Sequence, residues 1–190
     1  MSIVLAVADI SRVVVKSDGL VLDNETGEMK STDNEMMLNL NEDCIVGFFG
    51  AKECLELVLN EYKRLATESN VNINTLKPTT VIYDLCELSK IINEKNAPIS
   101  VLVAGRENNR IVLFGFTSSD GYGINNFTPD DRHIKYIIFG SDTQKNAVSF
   151  SKYISPEKSF ELSMNEYIRF IAKIDSSVND HIFTRKLSVS

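Results

Sequence analysis

Along the chain, apolar residues first recur with the short period of strands and then with the period of helices. Ile3 to Ala8 and Arg12 to Ser17 are short and β-branched, and the polar Asp9-Ile10-Ser11 joins them, which predicts a hairpin. The first strand is apolar at nearly every position, the pattern of a strand covered on both faces and placed in an inner layer. Asp23 to Asp33 is polar, with Asn24 and Gly27 as turn formers, and predicts an exposed excursion. Met36 to Leu40, the turn Asn41-Glu42-Asp43 and Cys44 to Phe49 predict a second hairpin, with the Met36-Met37 pair in the core. After Gly50 the period changes. Leu55, Val58, Leu59, Tyr62 and Leu65 mark one helix, and Val81, Ile82, Leu85, Leu88, Ile91 and Ile92 mark a second that begins near Pro78.

Strands resume at Ile99 to Ala104 and Arg110 to Phe116. A long loop follows through Gly121, Gly123 and Pro129, then a strand at Lys135 to Phe139 closed by Gly140-Ser141. Asp142 can cap a helix running through Ala147 and Phe150 to Tyr153. Another helix spans Ser163 to Asp175, with Tyr167, Ile168, Ile171 and Ile174 as its apolar stripe. His181 to Val189 alternates as an edge strand does. Strand pairs thus alternate with helix pairs, an order that a singly alternating βαβ fold does not produce. Two stacked sheets with helices on both outer faces accommodate it: an α+β, four-layer αββα sandwich, expected as a single domain over 1–190.

Composition narrows the function classes. With 190 residues, 43% hydrophobic and 24% charged, the chain can bury a substantial core. Its net charge of −6 argues against a nucleic-acid or anionic-membrane surface. No apolar stretch is long enough to span a bilayer, and the start lacks the basic region of a signal peptide, so the cytoplasm is the expected compartment. Cys44, Cys54 and Cys86 sit in apolar patterns without paired spacing and read as buried free thiols. His133 and His181 have no partner at ligand spacing, so neither a metal site nor a cofactor is expected.

The segments SIVLAV, VVVKSDG, NLNEDCIVGFFGAKECLELVL and YIIFGSD, in this order and over nearly the whole chain, resemble the proteasome β-type subunits. The similarity is nearest to the peptidase component of the simpler bacterial ATP-dependent protease, an N-terminal-nucleophile hydrolase. That resemblance implies the same αββα sandwich. It also implies amide hydrolysis by the hydroxyl of the first residue, with its free α-amine as base. A free amine with a pKa of about 8 suits that role near neutral pH.

Carried over by residue, Ser2 becomes the nucleophile once Met1 is removed. Asp18, sixteen positions on, matches the family's aspartate spacing. Gly47 resembles the strand glycine beside the oxyanion hole, followed here by Phe48 and Phe49, whose bulk is expected to narrow or block a substrate cleft. Ser141 resembles the supporting serine, with Asp142 in place of a glycine. Asp175 resembles the late aspartate, followed by Ser176-Ser177-Val178. Simpler readings stand beside these: Ser2 as a plain terminal residue, Asp18 as an Asp-Gly turn residue, Ser141 as a helix cap and Asp175 as a loop cap.

The family lysine is missing. Its position falls at Glu35 or Met36, and a glutamate there would raise the amine's pKa; Lys30 lies nearby. Two functions follow. One is a self-assembling, ring-type subunit with weak or lost peptidase activity, used as a scaffold or binding module. The other is an N-terminal serine peptidase acting on peptides inside a homo-oligomeric chamber, with an ATPase as possible partner. The absent lysine and the aromatic pair favour the first; the Ser2–Asp18 spacing and the short start of the chain favour the second.

Overall fold

The computed structural model describes residues 3–22, 28–50, 52–93, 97–140, 149–155 and 157–189. Two antiparallel sheets organise them. Strands β1 (Val4–Ala8) and β2 (Arg12–Asp18) form the opening hairpin, and the last two strands, β10 (Lys135–Phe139) and β11 (Ile182–Ser188), flank it in the order β10-β1-β2-β11. The second sheet runs β5 (Met37–Asn41), β6 (Cys44–Gly50), β7 (Ile99–Glu107), β8 (Arg110–Thr117) and the two-residue β9 (Asn125–Asn126). The polar excursion is not wholly irregular: β3 (Val21–Leu22) and β4 (Met29–Ser31) pair within it, while 23–27 lie outside the described residues. The predicted helix after Asp142 falls largely on 141–148, also outside them, although Phe150 is described and buried.

Strand alternation divides the interior into three apolar layers. Val4, Ala6 and Ala8 of β1 meet Ile45, Phe49, Leu102 and Leu113 of the other sheet. The intervening Ile3, Leu5 and Val7 point the opposite way, against Met164, Tyr167, Ile168 and Ile171 of the helix Phe160–Ile174, here α3. Likewise Val46, Val101 and Val103 leave the second sheet towards Leu55 and Val58 of α1 (Lys52–Glu68) and Val81, Ile82 and Leu85 of α2 (Pro78–Ile92). Helices, sheet, sheet and helix therefore stack as four layers. The expected sandwich is correct, and β1 and β2 are its inner strands.

Local chemistry fixes the helix limits. Pro78 opens α2. Ser159 accepts a hydrogen bond from the Leu162 amide, so α3 begins three residues before the predicted Ser163. Met36 and Met37 are buried between the sheets, as expected. All three cysteines are free; Cys44 and Cys86 are buried as expected, whereas Cys54, near the start of α1, is only half-buried. No described helix is long and apolar enough to cross a membrane.

Candidate functional site at the start of the chain

The end of the sandwich where β1 begins is built around Asp18. This residue closes β2 and is fully buried. Its backbone amide donates to the Ile3 carbonyl at 3.2 Å, and its Oδ1 accepts from the Ile3 amide at 2.7 Å. Oδ2 accepts from the amides of Asn179 at 3.1 Å and Leu20 at 3.3 Å. Burial pushes the carboxyl up to about 6, against the pull of these three amides. Among the described residues, no lysine or arginine pairs with it. Lys16, two residues earlier, is turned away: its ammonium donates to Asn165 Oδ1 of α3 at 2.7 Å and to Thr184 Oγ1 of β11 at 3.0 Å, and burial lowers its pKa.

Gly47 lies on β6 directly beneath β1. A Cβ there would stand 2.9 Å from Val4 Cγ1 and 3.0 Å from Leu102 Cγ, so the missing side chain is what lets the two sheets close at this point. Phe48 and Phe49 do not both face a cleft. Phe49 fills the layer between the sheets, and Phe48 turns towards α1, where it lines a cavity of about 170 Å³ with Asn34, Met36, Lys52 and Leu55.

Glu35 and Met36, the two positions where the sequence resemblance expects a lysine, have partners of their own. Glu35 makes a two-pronged ion pair with Arg185, Nε and Nη2 each 2.7 Å from a carboxylate oxygen, so its charge is answered by β11. Met36 is buried. Lys30 is exposed on β4.

Strand order, layers and element sequence together have a counterpart among solved structures. The fold is superposable on the crystal structure of eukaryotic HslV from Trypanosoma brucei, with a TM-score of 0.71, over 98% of this chain and 99% of that one. This chain has the HslV fold. At 16% identity the likeness concerns the fold, and the chemistry of the site rests on the side chains present. No family model matches the sequence, and no curated protein matches it either.

On the HslV fold, the residues singled out by sequence divide into three groups. Asp18 and Gly47 stand at the start of β1, one through hydrogen bonds to Ile3 and the other through contact with Val4. Ser2 and Ser141 lie outside the described residues. Asp175 caps α3 and accepts from the Ser177 amide at 2.9 Å and hydroxyl at 2.6 Å, shaping the turn that follows.

That turn delivers a residue the sequence did not announce. Besides the amide it gives to Asp18, Asn179 accepts from the Gly19 amide at 3.0 Å and donates from Nδ2 to the Thr32 carbonyl at 3.1 Å. It ties the end of β2 to the segment leading into Glu35 and Met36. Only the Asn-Asp pair after a helix hints at such a role, and nothing in its spacing points to Asp18, 161 residues away. Among the described residues, no three His, Cys, Asp or Glu side chains group to hold a metal.

Proposed function

We propose that the chain is a proteasome-type subunit that assembles with copies of itself and has lost peptidase activity. The observation that carries this reading is the use of Asp18. Its carboxyl serves backbone amides of Ile3, Leu20 and Asn179, and the lysine that would make it part of a charged couple is replaced by Glu35, held by Arg185, and by buried Met36. Asp18 is thereby a fastener for the first strand. Assembly is supported by apolar side chains on the outer helices: Leu57 of α1, Tyr83 and Ile91 of α2, and Leu162 and Ile174 of α3 are 47–69% exposed. Packing such faces and the sheet edges on neighbouring subunits is what ring formation accomplishes. The reading places the protein in the cytoplasm, as one domain over 1–190, without a cofactor.

One observation favours the alternative, an active Ser2 peptidase. The 2.7 Å bond from Ile3 to Asp18 sets a carboxyl one residue from Ser2, in the order such chemistry needs. Labelling separates the two. Incubation with a β-lactone or epoxyketone probe followed by intact-mass analysis is expected to leave the protein unmodified, while light scattering reports a stable oligomer. Loss of Met1 together with a probe adduct that Ser2→Ala abolishes would establish the peptidase, and a strict monomer at micromolar concentration would remove the assembly reading.

A further inference from the structure

A lysine interrupts the face of β2 that is turned to α3. Lys16 stands in register between Leu5 of β1 and Thr184 of β11, and strand alternation aims it at the helix. Its stem is covered, and the residue as a whole is 3% exposed. Its ammonium reaches outward, donating to half-buried Asn165 at 2.7 Å and to exposed Thr184 at 3.0 Å. The head group therefore lies on the floor of a surface trough between α3 and β11, the edge strand of its sheet.

Both of its acceptors are neutral. A lysine this buried is ordinarily answered by a carboxylate, because a cation taken out of water is costly unless paired. Among the described residues no carboxylate bonds Lys16, and the third N–H of its ammonium meets no acceptor. Glu161, one turn before Asn165, acts on Lys16 through space but spends its hydrogen bond on Lys186, at 2.6 Å. One turn beyond Asn165, the exposed Arg169 has no partner for its guanidinium among the described residues. Burial lowers the Lys16 pKa; Glu161 opposes this, and Lys186 and Arg169 add to it. Three cations thus share the trough with one carboxylate, a surplus of two positive charges in a chain whose net charge is −6.

That surplus, presented as an ammonium and a guanidinium, suits a compact dianion with several acceptor oxygens. A phosphate group carries about −1.5 to −2 near pH 7 and has three oxygens to share. Arginine offers it paired donors and lysine a point charge, whereas a single carboxylate would answer only one of the two. We propose that the trough between α3 and β11 binds a phosphate group, held by Lys16 at its floor and Arg169 at its rim. Free phosphate and a small phosphate monoester present this same chemistry. The site goes beyond the assembly reading and stands whether or not Ser2 reacts.

The test titrates the full chain with inorganic phosphate, and separately with glycerol 3-phosphate, at an ionic strength held constant with sodium chloride. Calorimetry and amide NMR shifts follow the binding. Saturation below roughly 10 mM is expected, with shifts at Asn165, Arg169 and Thr184, and the tighter probe identifies the source. Acetate, with one charge, should bind at least about tenfold more weakly. Arg169→Gln should weaken phosphate binding about five- to tenfold, and Lys16→Met should abolish it. If Lys16→Met fails to fold, Arg169→Glu decides: the position is exposed, and reversing its charge cancels the surplus, so binding should vanish. Unchanged phosphate binding in the deciding variant, an equal response to acetate, or no saturation up to roughly 10 mM would overturn the proposal.

Discussion

Acidifying a solution of this protein from pH 7 to pH 5 protonates a carboxyl that no water reaches. Asp18 is 0% exposed and titrates at about 6 when folded, against 3.8 for an ordinary aspartate. A raised acid pKa means that the folded state binds the proton more tightly than the unfolded one. The contribution is therefore fully present below 3.8, falls away as pH rises through 6, and is constant above. Between pH 7 and pH 5 the linkage amounts to about 1.4 kcal/mol in favour of the folded state. Other carboxylates act alongside: Asp9, Asp130 and Glu161 have lowered pKa values and oppose the trend as pH falls, whereas Asp84, raised by burial, reinforces it.

The assay is urea unfolding at the two pH values, for the natural chain and for Asp18→Asn. The variant leaves amides of Ile3, Leu20 or Asn179 without an acceptor, a loss of about 1–3 kcal/mol that does not depend on pH. Relative to it, the natural chain should gain about 1.4 kcal/mol on acidification. A relative loss instead would mean that the three amides outweigh burial and hold the carboxyl below its ordinary value. The account of Asp18 as a group strained by its surroundings would then be wrong.

Two further outcomes follow from the same end of the molecule. Gly47→Ala places a methyl 2.9 Å from Val4 and should destabilise the fold by about 1–3 kcal/mol in chemical denaturation, since neither sheet can withdraw freely. Asn179→Ala keeps the backbone amide that serves Asp18 but removes the bonds to Gly19 and Thr32; a loss of about 1–3 kcal/mol is expected, with the Asp18 titration, followed by carboxyl NMR, little changed.

The layering was readable because it rests on local periodicity. The unbroken apolar runs of β1, β6 and β7, the mark of strands covered on both faces, and the three-four spacing of α1, α2 and α3 are properties of short windows, legible whatever the partner layer is. Asp18 and Gly47 could be placed because a hairpin and a strand of recognisable pattern carry them. Asn179 and Arg185 could not. Each meets its partner from about 150 residues away, and a polar residue at the end of a helix or along an edge strand looks the same whether it faces water or a carboxylate. The bulk of Phe48 and Phe49 was expected to obstruct a cleft, but strand alternation sends the two rings to opposite faces.

The partition into three apolar layers has a consequence for how damage spreads. A strand with both faces dry is a wall common to two compartments, so neighbouring residues answer to different parts of the molecule. Truncating Val46 loosens the attachment of α1 and α2, whereas truncating Ile45, the next residue, loosens the seam between the sheets. Defects on opposite faces are separated by a hydrogen-bonded backbone and should sum, while those on one face share neighbours and should not. The outer helices can therefore vary in sequence, or yield to a partner, with the paired sheets behind them unmoved.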